Sequence, residues 1–168
     1  MRSQETGVRD KMVNALLQAT ARVFRSDLGI DLRFIGGTVR EDQETTEDLS
    51  IFVRLTGSVE GCVFFGLDRG MAREILAIVL RRPSAGIDER AIRILNRIVE
   101  RIVGHARDEF MAGGHSIEIS SASTVQPSGL RITTLGVPQV VAVLRSKRGP
   151  VMVHIVLREV PQADALAA

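Results

Sequence analysis

Two lysines, one cysteine, no tryptophan and no tyrosine occur in 168 residues, and each scarcity removes a class of protein. The lone thiol, Cys62, can close no intrachain bridge, so the chain is no disulfide scaffold and is expected to suit a reducing cytoplasm. The longest apolar run, Ile75–Leu80, has six residues, against the ~20 that a membrane span requires. The opening Met1-Arg2-Ser3-Gln4-Glu5 holds no apolar stretch of the secretory kind. The six phenylalanines sit in apolar contexts, which leaves no stacking platform of the sort nucleic-acid binders use. His105, His115 and His154 stand far apart and share no ligand spacing, so no metal and no cofactor is expected.

Arginine makes up the other 20 of the 22 basic residues, and the net charge is only +2. The high isoelectric point follows from what does not titrate: arginine stays charged and there is no phenol to offset it. Nucleic-acid binders concentrate positive charge far more strongly, and here acids are interspersed throughout. At 45% hydrophobic and 25% charged residues, the composition is that of a globular domain, and the length fits one.

Hydrophobic spacing predicts a helix over 7–26, with Val13, Leu16, Leu17, Ala21 and Phe24 on its apolar side and Gly29 as its stop. Leu32–Ile35 reads as a short strand ended by Gly36-Gly37. Five acids in the eight residues Glu41–Asp48 read as a solvated loop, since no ligand spacing is recognisable. Ser50–Gly57 and Val59–Gly66 form a hairpin about Gly57-Ser58, the second run being apolar on both faces and central in a sheet. Asp68 caps a helix reaching Leu80, and Pro83 and Gly86 break the chain before Asp88 opens the longest helix, which ends near Gly113-Gly114. Strands are expected at Ser116–Ser120, Leu130–Leu135, Gln139–Arg145 and Val151–Val160. The result is an α+β fold, a single domain over 1–160 with a mostly antiparallel sheet packed against three helices, and a disordered tail over 161–168.

The long helix carries the most informative pattern. On a 100° wheel, Ala91, Ile94, Leu95, Ile98, Val99, Ile102, Val103 and Ala106 share the core-facing arc. Arg90, Arg93, Arg97 and Arg101 form a stripe on the opposite side, with Glu100 and Asn96 beside it. Arg97 and Glu100 are three apart and can pair. A solvated face with local ion pairs is the plain explanation of the stripe. The sharper one is an anion-facing surface, because guanidinium forks grip carboxylate and phosphate bidentately. Gly104 costs this helix about 1 kcal/mol relative to alanine, which calls for a packing reason. Elsewhere the chemistry is thin: Cys62 reads as a buried, inert thiol, His105 and His154 as structural, and Ser120, Ser121, Ser123 and Thr124 have no nearby base.

Taken in order, several stretches resemble the chemotaxis phosphatase family that includes CheX, CheC and FliY, with CheX nearest. They are Val13–Leu17 followed by Leu28-Gly29-Ile30, the glycine-punctuated Leu55–Phe64, the helix Asp68–Leu80, Asp88-Glu89-x-Ala91 with Gly104 downstream, and Ile117–Gly129. The likeness spans roughly Val13 to Val160. It implies the family's fold, a homodimer formed by sheet association, and a partner of the CheY-type receiver class. The family's signature on its long helix is Asp or Ser, three residues, Glu, two residues, Asn. The amide positions a water against the receiver's aspartyl phosphate while the glutamate engages the receiver's lysine.

Anchored on Gly104, the signature falls on Arg93, Arg97 and Glu100, so Arg97 stands at the glutamate position and Glu100 at the asparagine position. These two are the candidate catalytic positions, and Arg90, Arg93, Arg97, Arg101 and Glu100 are the candidate partner-binding surface. With a guanidinium replacing a carboxylate and a carboxylate replacing an amide, the resemblance implies a receiver-binding domain that lacks the standard phosphatase reaction. An active phosphatase with an altered Arg/Glu constellation, and a dimeric module reading a nucleotide or other anion, remain open on the residues alone.

Overall fold

The first helix is longer than its apolar periodicity predicts: α1 spans Arg2–Leu28. The computed structural model describes residues 2–41, 43–44, 47–126, 131–132 and 136–161, with backbone alone at 2–6, 43–44 and 131–132. The buried stripe of α1 is centred on Met12, Leu16, Ala19 and Val23, with Ala15 and Phe24 beside it. Val13, Leu17 and Ala21 are only half-buried, so the stripe is rotated from its expected centre. Thr20 is accommodated in the core because its hydroxyl donates to the Leu16 carbonyl at 2.7 Å, which satisfies an otherwise costly buried group.

The remaining elements are β1 (Arg33–Arg40), β2 (Gln43–Glu44), β3 (Leu49–Gly57), β4 (Val59–Leu67), α2 (Arg69–Leu80), α3 (Glu89–Ala112), β5 (Ile117–Ile119), β6 (Ser123–Val125), β7 (Arg131–Ile132), β8 (Gln139–Ser146) and β9 (Gly149–Glu159). Seven strands form one antiparallel sheet in the order β1-β8-β9-β4-β3-β5, with β6 also on β3, and β2 pairs with β7 separately. This is the expected α+β domain. Both helix starts are as read: the Asp68 carboxylate accepts from the Met71 amide at 2.6 Å and Asp88 from the Ala91 amide at 2.8 Å. The hairpin turn also holds, with Gly57 at φ +132° and no room for a side chain, since a Cβ there would lie 2.4 Å from the Ser116 carbonyl oxygen.

One sheet face is covered by helices. Ile51, Val53 and Leu55 of β3, Val63 and Phe65 of β4, and Val153, Ile155 and Leu157 of β9 are buried on it. Above them α3 lies against α1, α2, β3 and β5, and α1 also reaches β9. Two strand expectations change. Gly36-Gly37 does not end β1, which continues to Arg40 along β8 with an irregularity between Phe34 and Gly36. Glycine weakens a strand but an edge strand tolerates the bend it introduces. β6 was not expected at all. Of the strand expected at Leu130–Leu135, only Arg131 and Ile132 are described and both are extended; residues 162–168 of the expected tail lie outside the described residues.

Candidate functional site

The Asp88 cap and an uninterrupted amphipathic run build α3, and its buried residues are Ala91, Leu95, Val99, Ile102, Val103, Ala106 and Phe110. Ile94 and Ile98 border this stripe, packed against the core. The opposite face carries the arginines, and Arg90, Arg93, Arg97 and Arg101 are all exposed. Eleven residues separate the first from the last, so the row extends about 16 Å along the helix axis. Arg101 is the C-terminal exception in chemistry, because its guanidinium pairs with Asp27 at the end of α1. Among the described residues, Arg90, Arg93 and Arg97 have no ion-pair partner.

The polar groups beside the row face elsewhere. Glu100 does not pair with Arg97; its Oε1 accepts the Ala122 backbone N–H at 2.9 Å. One turn earlier, the Asn96 side-chain oxygen accepts from the Thr124 hydroxyl. These two contacts tie the flank of α3 to the β5–β6 stretch at one edge of the sheet. An ionised carboxylate is acceptor-only, so Glu100 can hold an N–H or a hydroxyl but cannot donate as an amide would. Three unpaired guanidiniums can bind carboxylate or phosphate oxygens in pairs. That is the chemistry this face presents.

The sheet face turned away from the helices holds two features that the sequence did not disclose. His154 and Glu47 are only 2% and 8% exposed. Glu47 Oε1 lies 3.0 Å from His154 Nε2, and Gln139 Nε2 lies 2.8 Å from His154 Nδ1. One tautomer satisfies both contacts, with Nε2–H donating to the carboxylate and Nδ1 accepting from the Gln139 amide. Glu47 therefore belongs to the interior and not to a solvated loop, and its neighbour Asp48 accepts from the Arg69 amide at the start of α2 at 2.9 Å. These partners are far apart in sequence, so no local spacing could have announced them.

Lower on the same face, Arg54, Glu60, Cys62, Val137, Val156 and Arg158 line an open cleft of about 460 Å³. Cys62 is half-buried rather than enclosed. Burial pushes its thiol above the usual range, and the nearby Arg54 charge only partly opposes this. A raised pKa means less thiolate at any given pH. Iodoacetamide is accordingly expected to alkylate Cys62 more slowly than free cysteine at pH 8, with the rate still climbing above pH 9; mass spectrometry of timed samples checks this, and a plateau below pH 8.5 would contradict it. Among the described residues, no group of three His, Cys, Asp or Glu side chains is placed to hold a metal ion. Among the described residues, no helix is long and apolar enough to cross a membrane.

A long polar-faced helix laid with two others on one side of an antiparallel seven-stranded sheet can be compared directly with solved structures. A CheC-like superfamily protein from Shewanella sp. PV-4 superposes with a TM-score of 0.81 over 88% of this chain and 97% of that one, at 15% identity. The chemotaxis protein CheX from Vibrio vulnificus gives 0.78 over 88% and 99%, at 18% identity. The fold is that of CheX and CheC. A third structure of this CheX-like fold, the CheX–CheY–BeF3–Mg complex from Borrelia burgdorferi, gives 0.70 over 88% and 97%, at 18% identity. No protein-family model and no curated protein matches the sequence. The CheX-like architecture is thus shared at only 15–18% identity.

Proposed function

We propose that this CheX-like domain works in chemotaxis or a related two-component pathway by binding a CheY-type receiver, or another partner that presents acids. Arg90, Arg93, Arg97, Arg101 and Glu100 of α3 form the contact surface. The observation that carries the reading is that Arg93 and Arg97, at the positions where the family resemblance places Asp or Ser and Glu, are exposed and without an ion-pair partner among the described residues. A receiver's phosphorylation pocket is a cluster of carboxylates, and guanidinium is the side chain best matched to it. One relative by fold is named as a complex with CheY, which supports the same class of partner.

The domain binds without running the standard aspartyl-phosphate hydrolysis. That reaction, as the resemblance implies it, depends on an amide that holds a water in line with phosphorus and on a glutamate that engages the receiver's lysine. At the asparagine position Glu100 offers acceptors only, one of them already engaged by Ala122, and its charge opposes a dianionic phosphoryl group. A time course of receiver dephosphorylation is expected to run at the same rate with and without the protein. An acceleration that disappears in Glu100→Ala would replace this reading with that of a phosphatase using an altered constellation.

Self-association through the sheet is the other half of the proposal. Among the described residues, β1 pairs on one side only, and it exposes Phe34 at 58%, Ile35 at 56% and Val39 at 67%. A long edge strand with apolar side chains is a template for pairing with another copy, whereas β5 and β6 at the opposite edge are three residues each. Light scattering is expected to return a dimer mass, falling to the monomer in Val39→Lys. A monomer mass for the unaltered protein at high concentration would remove this part.

A further inference from the structure

Gly104 stands in the middle of α3, where glycine weakens a helix, and the fold gives no reason for it. Beyond the backbone of its own helix, a Cβ built on Gly104 would meet no heavy atom of the described residues within 4 Å. Its backbone is not in the left-handed region either, since it is absent from the residues with positive φ. The sheet, α1 and α2 would all tolerate alanine. The packing reason expected from the sequence is therefore not found among the described residues.

Its position supplies another reason. Residues three and four apart are surface neighbours on a helix, so Gly104 is flanked by Glu100 and Arg101 before it and by Arg107 and Asp108 after it. Arg97 lies two turns back on the same side. Gly104 is half-buried, and it leaves a gap in the side chains at the end of the arginine row. Arg101 is drawn toward α1 by Asp27 and Glu100 toward the sheet edge by Ala122, so the side chains before the gap are held away from it, while Arg107 and Asp108 after it pair with each other.

We infer that Gly104 is the close-approach point of the docking surface, where the main chain of an acidic receiver loop seats directly against α3. This rests on the receiver-binding reading above and adds to it the place of tightest contact. Backbone can approach only where no Cβ intervenes. Each ångström of closer approach strengthens the attraction between the loop's carboxylates and the guanidiniums of Arg93 and Arg97. The glycine thus lowers the helix's own stability and improves the fit to the partner.

The two roles have opposite signatures. Purified CheY-type receivers loaded with beryllofluoride and Mg2+ would be titrated calorimetrically with wild type, Gly104→Ala, Gly104→Gln and Arg97→Glu, alongside thermal melts of the same proteins. Gly104→Ala is expected to raise Tm by about 2–4 °C while weakening receiver binding about 5-fold or more. Gly104→Gln is expected to weaken binding further without lowering Tm. Binding unchanged in both glycine variants, together with loss in Arg97→Glu, would overturn the role of Gly104 and leave the receiver reading intact. A lower Tm in Gly104→Ala would also overturn it, by revealing a packing role. Failure of the wild type to bind any receiver would remove the reading and the inference together.

Discussion

Arg97→Glu is expected to weaken binding to a beryllofluoride-loaded receiver by about 100-fold. The size follows from what the substitution reverses. Arg97 is exposed in the free protein, where a single charge contributes little to stability. Docking against a cluster of carboxylates desolvates it, and a glutamate placed there would face charges of its own sign. Tm should therefore hardly change while affinity collapses. The affinity of the wild type should also fall with salt, because the interaction is charge-driven at partly exposed sites. Arg145→Glu is the matched control, an exposed arginine on β8 of the sheet. Equal losses in the two variants would mean that net charge, and not the face of α3, governs association.

His154→Leu is expected to have the largest effect on stability, a loss of about 2–3 kcal/mol, because two buried hydrogen bonds go with the ring. The substitution leaves the Glu47 carboxylate without its histidine donor at 8% exposure and removes the acceptor for the Gln139 amide. Urea denaturation with both circular dichroism and fluorescence of an extrinsic dye would give the difference. Replacing both partners, as in Glu47→Leu with His154→Leu, is expected to recover part of the loss, since exchanging both members of a buried hydrogen-bonded pair for apolar groups costs less than stranding one of them. If the loss in the double variant equals the sum of the losses in Glu47→Leu and His154→Leu, the two residues are not energetically coupled and the contact is incidental.

The parts of this fold legible in the sequence are those whose cause is local. Asp68 and Asp88 announce helix starts because a carboxylate must lie within a turn of the free amides it accepts from. Gly57-Ser58 marks a hairpin for a similar reason, and the apolar spacing of α3 separated its buried arc from the arginine row correctly. The errors have equally specific causes. Gly36-Gly37 reads as punctuation, yet β1 is held by its register with β8. Glu47 sits in a run of acids, and composition alone cannot show that His154, 107 residues away, will reach it. Arg97 and Glu100 have the spacing of an ion pair, but a backbone N–H at Ala122 competes for the carboxylate. The helix wheel identified who lines the surface; it could not identify whom each side chain would choose.

The strand order places the two proposed contact regions at opposite margins of the sheet. β1 lies five strand positions from β5, about 24 Å across, and α3 is tied to the β5–β6 margin through Asn96 and Glu100. Two copies joined along β1 would leave both arginine-lined helices at the outer ends of the pair. Such an assembly is divalent: it can engage two receivers at once, and where receivers are clustered its hold on them would exceed that of either single contact.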